Sequence, residues 1–277
     1  MWWFTFLNNE FKRGRTLMKL KLMTKVLALG MTALCGTQAM AQGSQDAGSQ
    51  AARRAPGAYA GASFGSPLAF GADWGRAGIG AYVETQPDNS SEDLDGSMGL
   101  VFGLGNATKY IGFETAIGIS SLTGASGDDF GEAGSVGFKL HTSLPGAAAF
   151  AVGVVGTGRW GNAQAVNKAS VYAVGTKVLS VGGDNNRKAL VLNLGLGDVQ
   201  FNRPNKSGAG LFGSVGFYFT RQLSVIADHT GRFTNLAVSA APFSALPLSV
   251  TLGLKNVTQQ YNGDMEVALS VGYGLSF

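Results

Sequence analysis

The last thirteen residues of the chain alternate strictly between two classes of side chain. The apolar or aromatic class comprises Met265, Val267, Leu269, Val271, Tyr273, Leu275 and Phe277. Because successive side chains of a strand point to opposite faces, this pattern predicts one long strand with a continuous apolar face. That face must contact a protein core or lipid. In lipid the sheet has to close, because hydrocarbon cannot satisfy the polar groups of open strand edges.

The N-terminal region has the layout of a secretory signal peptide. Lys19, Lys21 and Lys25 precede the apolar run 26–36, and the small residues of Ala39-Met40-Ala41 supply a cleavage site. We therefore predict a signal peptide over residues 1–41, in which 1–17 lies upstream of alternative translation starts at Met18 or Met23. The competing interpretation, an uncleaved anchor helix, needs roughly 20 apolar residues, and this run is shorter.

Charge and composition exclude several classes of function. The chain has 21 Lys and Arg residues against 17 Asp and Glu residues, but six of these bases and only one acid lie in the predicted leader. The remainder is nearly neutral and gives no reason to expect nucleic-acid binding. The 42 glycines argue against long helices. The single cysteine, Cys35, also lies in the leader.

Twelve alternating segments fill the rest of the chain. They cover residues 77–84, 97–104, 110–120, 133–143, 148–158, 170–181, 188–199, 210–219, 222–229, 233–240, 246–254 and 265–277. Their connections alternate between short and long, with one exception after His229, and this arrangement is typical of outer-membrane barrels. We predict an all-β protein, a transmembrane antiparallel up-and-down β-barrel of about 12 strands over 77–277, preceded by a periplasmic N-terminal segment, 42–76.

A secreted β-sandwich or a soluble barrel is the main alternative fold. Either would bury the apolar faces and expose the opposite ones to water. Those opposite faces consist mainly of Gly, Ala and Ser with few charges, whereas a water-exposed sheet surface carries many more charged residues. The composition therefore favours apolar faces that contact lipid.

Strand parity predicts a set of ionisable side chains that point into the lumen. They are Glu84, Glu114, Lys139, His141, Lys177, Asp228 and Glu266. One interpretation is a set of internal ion pairs that brace the wall, and the other is a constriction that filters solutes by charge. The nearly balanced signs argue against strong selectivity for anions or cations.

Two local patterns suggest chemistry and fail on inspection. His141-Thr142-Ser143 has the His-x-Ser spacing of outer-membrane phospholipases and lipid A deacylases, but Leu144 stands where those families have Asn. The acidic stretch 91–96 resembles the start of an EF-hand loop, but Phe102 replaces the closing Glu. We therefore predict no catalytic residue, no metal site and no cofactor.

The C-terminal strand resembles the terminal strand of bacterial outer-membrane barrels, in which Tyr273, Leu275 and Phe277 would form the assembly signal. The stretch 66–75, together with 138–141, resembles a group of uncharacterised outer-membrane proteins. The stretches 192–197 and 212–213 and the Asp228 segment are similar to barrels associated with exopolysaccharide secretion.

These resemblances imply a location in the outer membrane. The expected partners are outer-membrane lipid, lipopolysaccharide and the barrel assembly machinery, without nucleic acid and with the oligomeric state left open. The predicted function is a passive channel for small solutes. The alternatives are a structural or exopolysaccharide-associated envelope barrel and, third, a lipid-modifying enzyme.

Overall fold

The alternating segments form twelve strands. The computed structural model of the protein describes residues 59–86, 94–120, 131, 133–161, 168–183, 188–204 and 206–277. The strands are β1 Arg76–Thr85, β2 Leu94–Gly105, β3 Gly112–Ile119, β4 Gly134–Leu144, β5 Ala148–Trp160, β6 Ser170–Val181, β7 Lys188–Gly197, β8 Gly210–Thr220, β9 Leu223–His229, β10 Thr234–Ala240, β11 Leu248–Lys255 and β12 Glu266–Ser276. Two short 3₁₀ turns, Val199–Phe201 and Gln260–Asn262, lie in the connections.

Antiparallel pairing joins each strand to the next and closes the sheet. The seam is made by β1 and β12, whose register runs from Arg76 opposite Ser276 to Glu84 opposite Ala268. Closure leaves no strand edge with unpaired backbone groups. The predicted up-and-down barrel and its strand number are thus confirmed.

The two faces of the wall differ as the alternation requires. On β7, Leu194 is 66% exposed on the outward face, whereas the neighbouring Asn193 is only 5% exposed on the lumen side. The same outward face carries exposed Leu, Val, Ile and Phe side chains around the barrel. A continuous apolar exterior of this extent is stable only in contact with lipid. The barrel is therefore a transmembrane one.

The connections define two ends of the barrel. The end at which β1 begins and β12 finishes, here called the inner end, has connections of two to seven residues between strands. The opposite, outer end has connections of four to fourteen residues. Short periplasmic turns and longer external loops are the pattern of outer-membrane barrels. Among the described residues, no helix is long and apolar enough to span a membrane.

Residues 59–73, here called the internal segment, lie inside the barrel. The Ala60 amide donates to Arg221 O in the β8–β9 turn, and the Trp74 amide donates to Gly105 O at the end of β2. Both contacts are at the inner end, so the segment rises into the lumen, turns and descends to the same end. The apolar residues of the stretch 66–75, which lies largely in this segment, follow no clear period. The leader and the 42–76 boundary remain predictions.

Candidate functional site: the occupied lumen

Small polar side chains of the wall hold the rising arm of the internal segment. Ser224 Oγ donates to Gly61 O over 2.5 Å, and the Gly61 amide donates to Ser239 Oγ over 2.6 Å. Ala60 O accepts from the Tyr218 hydroxyl at 2.7 Å, and Ala62 O accepts from Ser214 Oγ at 3.1 Å. The wall therefore binds the arm mainly through its backbone, and hydroxyl groups on β8, β9 and β10 fix its position.

Asp228 holds the turn of the internal segment. Its side chain is only 2% exposed, and Oδ2 accepts hydrogen bonds from Ser63 Oγ at 2.9 Å and from the Phe64 and Ser66 amides at 3.2 Å. The amide of Asn235 donates to Oδ1 at 3.3 Å. A buried carboxylate is costly unless it is fully hydrogen bonded, and this turn supplies three of the four donors.

The descending arm is bound by a buried ion pair between β3 and β4. Lys139 Nζ lies 2.8 Å from Glu114 Oε1, and both side chains are almost fully buried. Each partner also bonds to the segment: Lys139 Nζ donates to Phe70 O at 2.8 Å, and the Ala72 amide donates to Glu114 Oε2 at 2.7 Å. The pair thus does more than brace the wall, because it holds the segment backbone at two points.

His141 continues this contact toward the inner end. Its Nε2 lies 3.1 Å from Ala72 O and 3.9 Å from Asp73 Oδ1, and the ring is buried. Ser143 points to the same side of β4, but its amide is bonded to Ala107 O. The geometry gives His141 a partner in the internal segment, which is a binding role.

Amide and hydroxyl side chains complete the descending contacts. Asn193 Nδ2 donates to Pro67 O at 2.9 Å, and the Ala69 amide donates to Thr176 Oγ1 at 2.8 Å. These two wall residues also bond to each other at 2.7 Å. They belong to the lumen face that the alternation predicts, but sequence reasoning considered only ionisable residues and so missed them.

Apolar contacts fill the space between the segment and the wall. Phe70 packs in a cluster with Tyr172, Phe201 and Phe212, in which the last two rings lie 4.6 Å apart. Phe64 and Leu68 are buried in two further clusters. Burying a side chain of this size contributes about 1.5–3 kcal/mol, so the segment is held by packing as well as by hydrogen bonds.

A second charged group lies near the outer end, away from the internal segment. Lys255 Nζ is 2.7 Å from Glu84 Oε2 and 2.8 Å from Glu266 Oε2, and all three side chains are largely buried. The Tyr82 hydroxyl also bonds to Glu84. This group links β1, β11 and β12 across the seam, which fits the interpretation of wall-bracing ion pairs.

Lys177 differs from the lumen position that its sequence suggested. It stands opposite Leu192, an outward-facing residue, and its Nζ donates to Gly146 O in the β4–β5 turn at 2.6 Å. The lumen side of β6 is instead occupied by Tyr172, Val174 and Thr176. The alternation divides the residues of β6 into two faces. Near the end of the strand a lysine can lie on the outward face, because its amine reaches the membrane interface.

A cavity of about 420 Å³ remains in the lumen above the internal segment. Gly65, Pro67 and Leu68 line it from the segment. The wall and the outer connections contribute Glu114, Lys139, Tyr172, Gln200, Phe201, Arg232, Asn235 and Lys255. Arg232 donates to Asn202 O at 2.8 Å and to Val199 O at 2.6 Å, so it ties two outer connections together. The open volume is thus on the outer side of the segment.

The residues of the expected assembly signal lie on the outward face at the inner end. Tyr273 stands opposite Ile79 and Leu248, and Leu275 stands opposite Ala77. The Phe277 ring is 78% exposed, and its amide donates to Gly75 O at 2.9 Å. Their recognition by assembly machinery remains a prediction.

The closed wall, its apolar exterior and its occupied lumen define a bacterial outer-membrane β-barrel protein. No protein-family model and no curated protein matches the chain. Solved structures with a similar fold include an outer-membrane channel from Pseudomonas putida F1, with 14% identity, a TM-score of 0.44 and coverage of 73% of this chain and 95% of that one.

Two other similar structures are also outer-membrane proteins. The β-domain of the Bordetella autotransporter BrkA has 13% identity, a TM-score of 0.34 and coverage of 73% of this chain and 98% of that one. A mutant porin of Rh. blastica has 10% identity, a TM-score of 0.32 and coverage of 72% and 99%. Because these TM-scores are low, the assignment to the outer-membrane β-barrels rests on the closed sheet and the lipid-facing exterior of the protein itself.

Proposed function

We propose that the protein is a channel for small solutes in which the internal segment is the barrier to passage. One observation carries this proposal: the polar groups of the inner wall are bonded chiefly to the backbone of a segment that enters and leaves by the same end. Such a segment can withdraw without breaking the barrel, since it contributes no strand to the closed sheet. Withdrawal would leave a polar lumen lined by small side chains.

Ion pairing within the wall supports passage without strong charge selection. Glu114 is paired with Lys139, and Lys255 is paired with Glu84 and Glu266. With the segment displaced, the exposed groups would include Ser, Thr and Asn side chains, Asp228 and the aromatic rings that pack against Phe70. A lumen of this kind suits small polar solutes more than ions of one sign.

A reversible cross-link tests whether the segment is the barrier. A Cβ at Gly216 would lie 3.0 Å from Ala62 Cα, so the two positions are adjacent, and an Ala62→Cys/Gly216→Cys pair tests whether a disulfide can lock the segment to β8. In a Cys35→Ser background this pair is the only cysteine pair in the chain. We expect planar-bilayer recordings to show conductance events that disappear on oxidation and return on reduction.

The single-cysteine variants are the controls, because neither can form the cross-link. Their conductance should not respond to oxidant or reductant. If the reduced pair, the single variants and the wild type all conduct nothing, the channel proposal is wrong and a structural role in the envelope is favoured. If oxidation leaves the conductance unchanged, the internal segment is not the barrier.

A further inference from the structure

Five basic side chains lie around the rim of the barrel at its inner end. They are Arg76, Lys109, Lys177, Lys188 and Arg221, and each is exposed or half-buried. Within the described part of the chain, no carboxylate forms an ion pair with any of them. Asp73 is the one described Asp or Glu at this end, and it is engaged by the Ala107 amide and faces His141. Among the described side chains, the inner end therefore carries an excess of positive charge.

Two of these lysines lie on the surface of the barrel that faces the membrane. Lys177 lies on the outward face beside Leu192. Lys188 Nζ lies 5.9 Å from the centre of the Phe217 ring, and Leu190, two residues further along β7, stands opposite that same phenylalanine. Both lysines thus project from the lipid-facing surface of their strands. They lie near the inner border of this surface, where long side chains reach the lipid headgroups.

Exposed aromatic rings mark the same border. They are Trp74, Tyr110, Phe219, Phe243 and Phe277, all at or beside the inner connections. Aromatic side chains concentrate at the level of the headgroups, where an apolar ring meets a polar layer. The basic side chains are therefore placed at headgroup level rather than deep in the periplasm.

The outer end lacks this bias. Its described basic residues are Arg159, Lys168, Arg203, Lys206, Arg232 and Lys255, and its described acids are Glu84, Asp95, Asp198, Asp228, Asp264 and Glu266. Among these described residues the two signs nearly cancel. The excess of positive charge is thus confined to the inner end. A requirement for solubility would not explain such a difference between the two ends.

We propose that the inner end binds the anionic headgroups of phospholipids in the leaflet that surrounds it, in preference to neutral headgroups. Each Lys or Arg near an anionic surface is attracted to it, so five such residues at one end enrich anionic lipid around this end. The expected class is a phosphate-bearing lipid with net negative charge, such as phosphatidylglycerol. The inference does not depend on whether the lumen conducts.

The chain contains a natural reporter for this contact. The part after residue 41 has two tryptophans, Trp74 and Trp160. Trp74 is 70% exposed at the inner end, whereas Trp160 closes β5 at the outer end. The variant Trp160→Phe leaves a reporter at the inner end, and Trp74→Phe leaves one at the outer end.

The experiment measures quenching of each reporter in vesicles of phosphatidylcholine that contain a trace of brominated lipid. In Trp160→Phe at low salt, we expect brominated phosphatidylglycerol to quench roughly twofold more than brominated phosphatidylcholine. The preference should fall toward one at high salt, because headgroup attraction is screened. In Trp74→Phe the two brominated lipids should quench equally.

Matched charge variants assign the effect to the basic residues. Lys109→Gln/Lys177→Gln/Lys188→Gln removes three charges at the inner end and should abolish the preference. Lys168→Gln/Arg203→Gln/Lys206→Gln removes three at the outer end and should leave it intact. A Lys→Arg triple at the inner positions should also retain it, and heat-modifiable migration on gels first verifies that each variant is folded.

Three results would overturn the proposal. The first is equal quenching of the Trp74 reporter by both lipids at low salt. The second is a preference that survives in the folded inner Gln triple. The third is an equal loss in the inner and outer triples, which would indicate a non-specific charge effect. The proposal would also be wrong if the protein bound a soluble anionic polymer but showed no preference between the two brominated lipids. The partner of the inner end would then be a periplasmic macromolecule.

Discussion

Asp228 is the residue on which the turn of the internal segment depends most. It is buried in the wall, and three of its hydrogen-bond donors belong to the segment. Parity places it in the lumen, and the structure has it there. The sequence does not reveal the hydrogen-bond donors of Asp228, however, because they come from a distant part of the chain. Ser66, for example, lies 162 residues before Asp228.

The variant Asp228→Asn should loosen the segment. An amide keeps the shape but replaces one acceptor oxygen by a donor, so either the Phe64 and Ser66 amides or the Asn235 side-chain amide loses its acceptor. An unsatisfied buried group costs about 1–3 kcal/mol, or roughly a 5- to 150-fold change in an equilibrium. We expect the labelling rate of Ala62→Cys by a water-soluble maleimide to rise within that range.

The control for this variant is Asp198→Asn. The Asp198 carboxylate accepts from the Val171 amide in the outer connections and has no bond to the internal segment. It should leave the labelling rate unchanged. Equal labelling in wild type and Asp228→Asn would contradict the role given to Asp228.

At the scale of elements, the strands and the internal segment differ in how far sequence predicts them. Each strand repeats one signal, an apolar side chain at every second position, because its outward face meets uniform lipid. The internal segment is surrounded by wall on all sides, so its environment imposes no period. The sequence shows small residues around Ala60 and Gly61, but such residues are equally typical of a flexible segment that precedes a barrel.

Glycines of the wall carry the signal that could have revealed the segment. A Cβ at Gly103 would lie 2.1 Å from Ala72 O, and one at Gly253 would lie 2.4 Å from the Phe64 ring. A lumen of water needs no such clearance, whereas backbone passing against the wall does. Glycine on lumen-facing positions therefore indicates a filled interior once the strand parity is known.

The variant Gly103→Leu should displace the descending arm. The added side chain meets backbone atoms of Ala72 and Asp73, which cannot rotate away as a flexible side chain would. We expect faster maleimide labelling of Ala69→Cys, together with more frequent conductance events in planar bilayers. The barrel itself should remain heat-modifiable, because the outward face of β2 is unchanged.

Gly175→Leu is a control on the lipid-facing side of the wall, where Gly175 stands opposite Leu194. A Cβ there has only Ala149 O at 4.0 Å as a neighbour, so the same substitution meets no segment atom. Labelling and conductance should match the wild type. If Gly103→Leu behaves like this control, the close approach of the segment to β2 does not describe the protein in a membrane.

At the scale of the whole molecule, closure depends on the seam between β1 and β12. Nine residue pairs join these strands, from Arg76–Ser276 to Glu84–Ala268. Phe277 lies just beyond this register. Its amide makes one bond to Gly75 O, and its ring is mostly exposed and touches Trp74 at 6.3 Å between centroids. The terminal residue therefore contributes little to holding the finished barrel together.

This small contribution separates two roles for Phe277. One hydrogen bond is worth about 0.5–1.5 kcal/mol, so deletion of Phe277 or Phe277→Asp should barely change refolding into detergent micelles. If the residue serves as an assembly signal, the same variants should sharply lower the heat-modifiable, membrane-inserted fraction in cells. Trp74→Ala removes the ring contact but keeps the terminal residue, and should insert normally. Normal insertion of both Phe277 variants would argue against the signal, and equal losses in cells and in micelles would assign Phe277 a structural role at the seam.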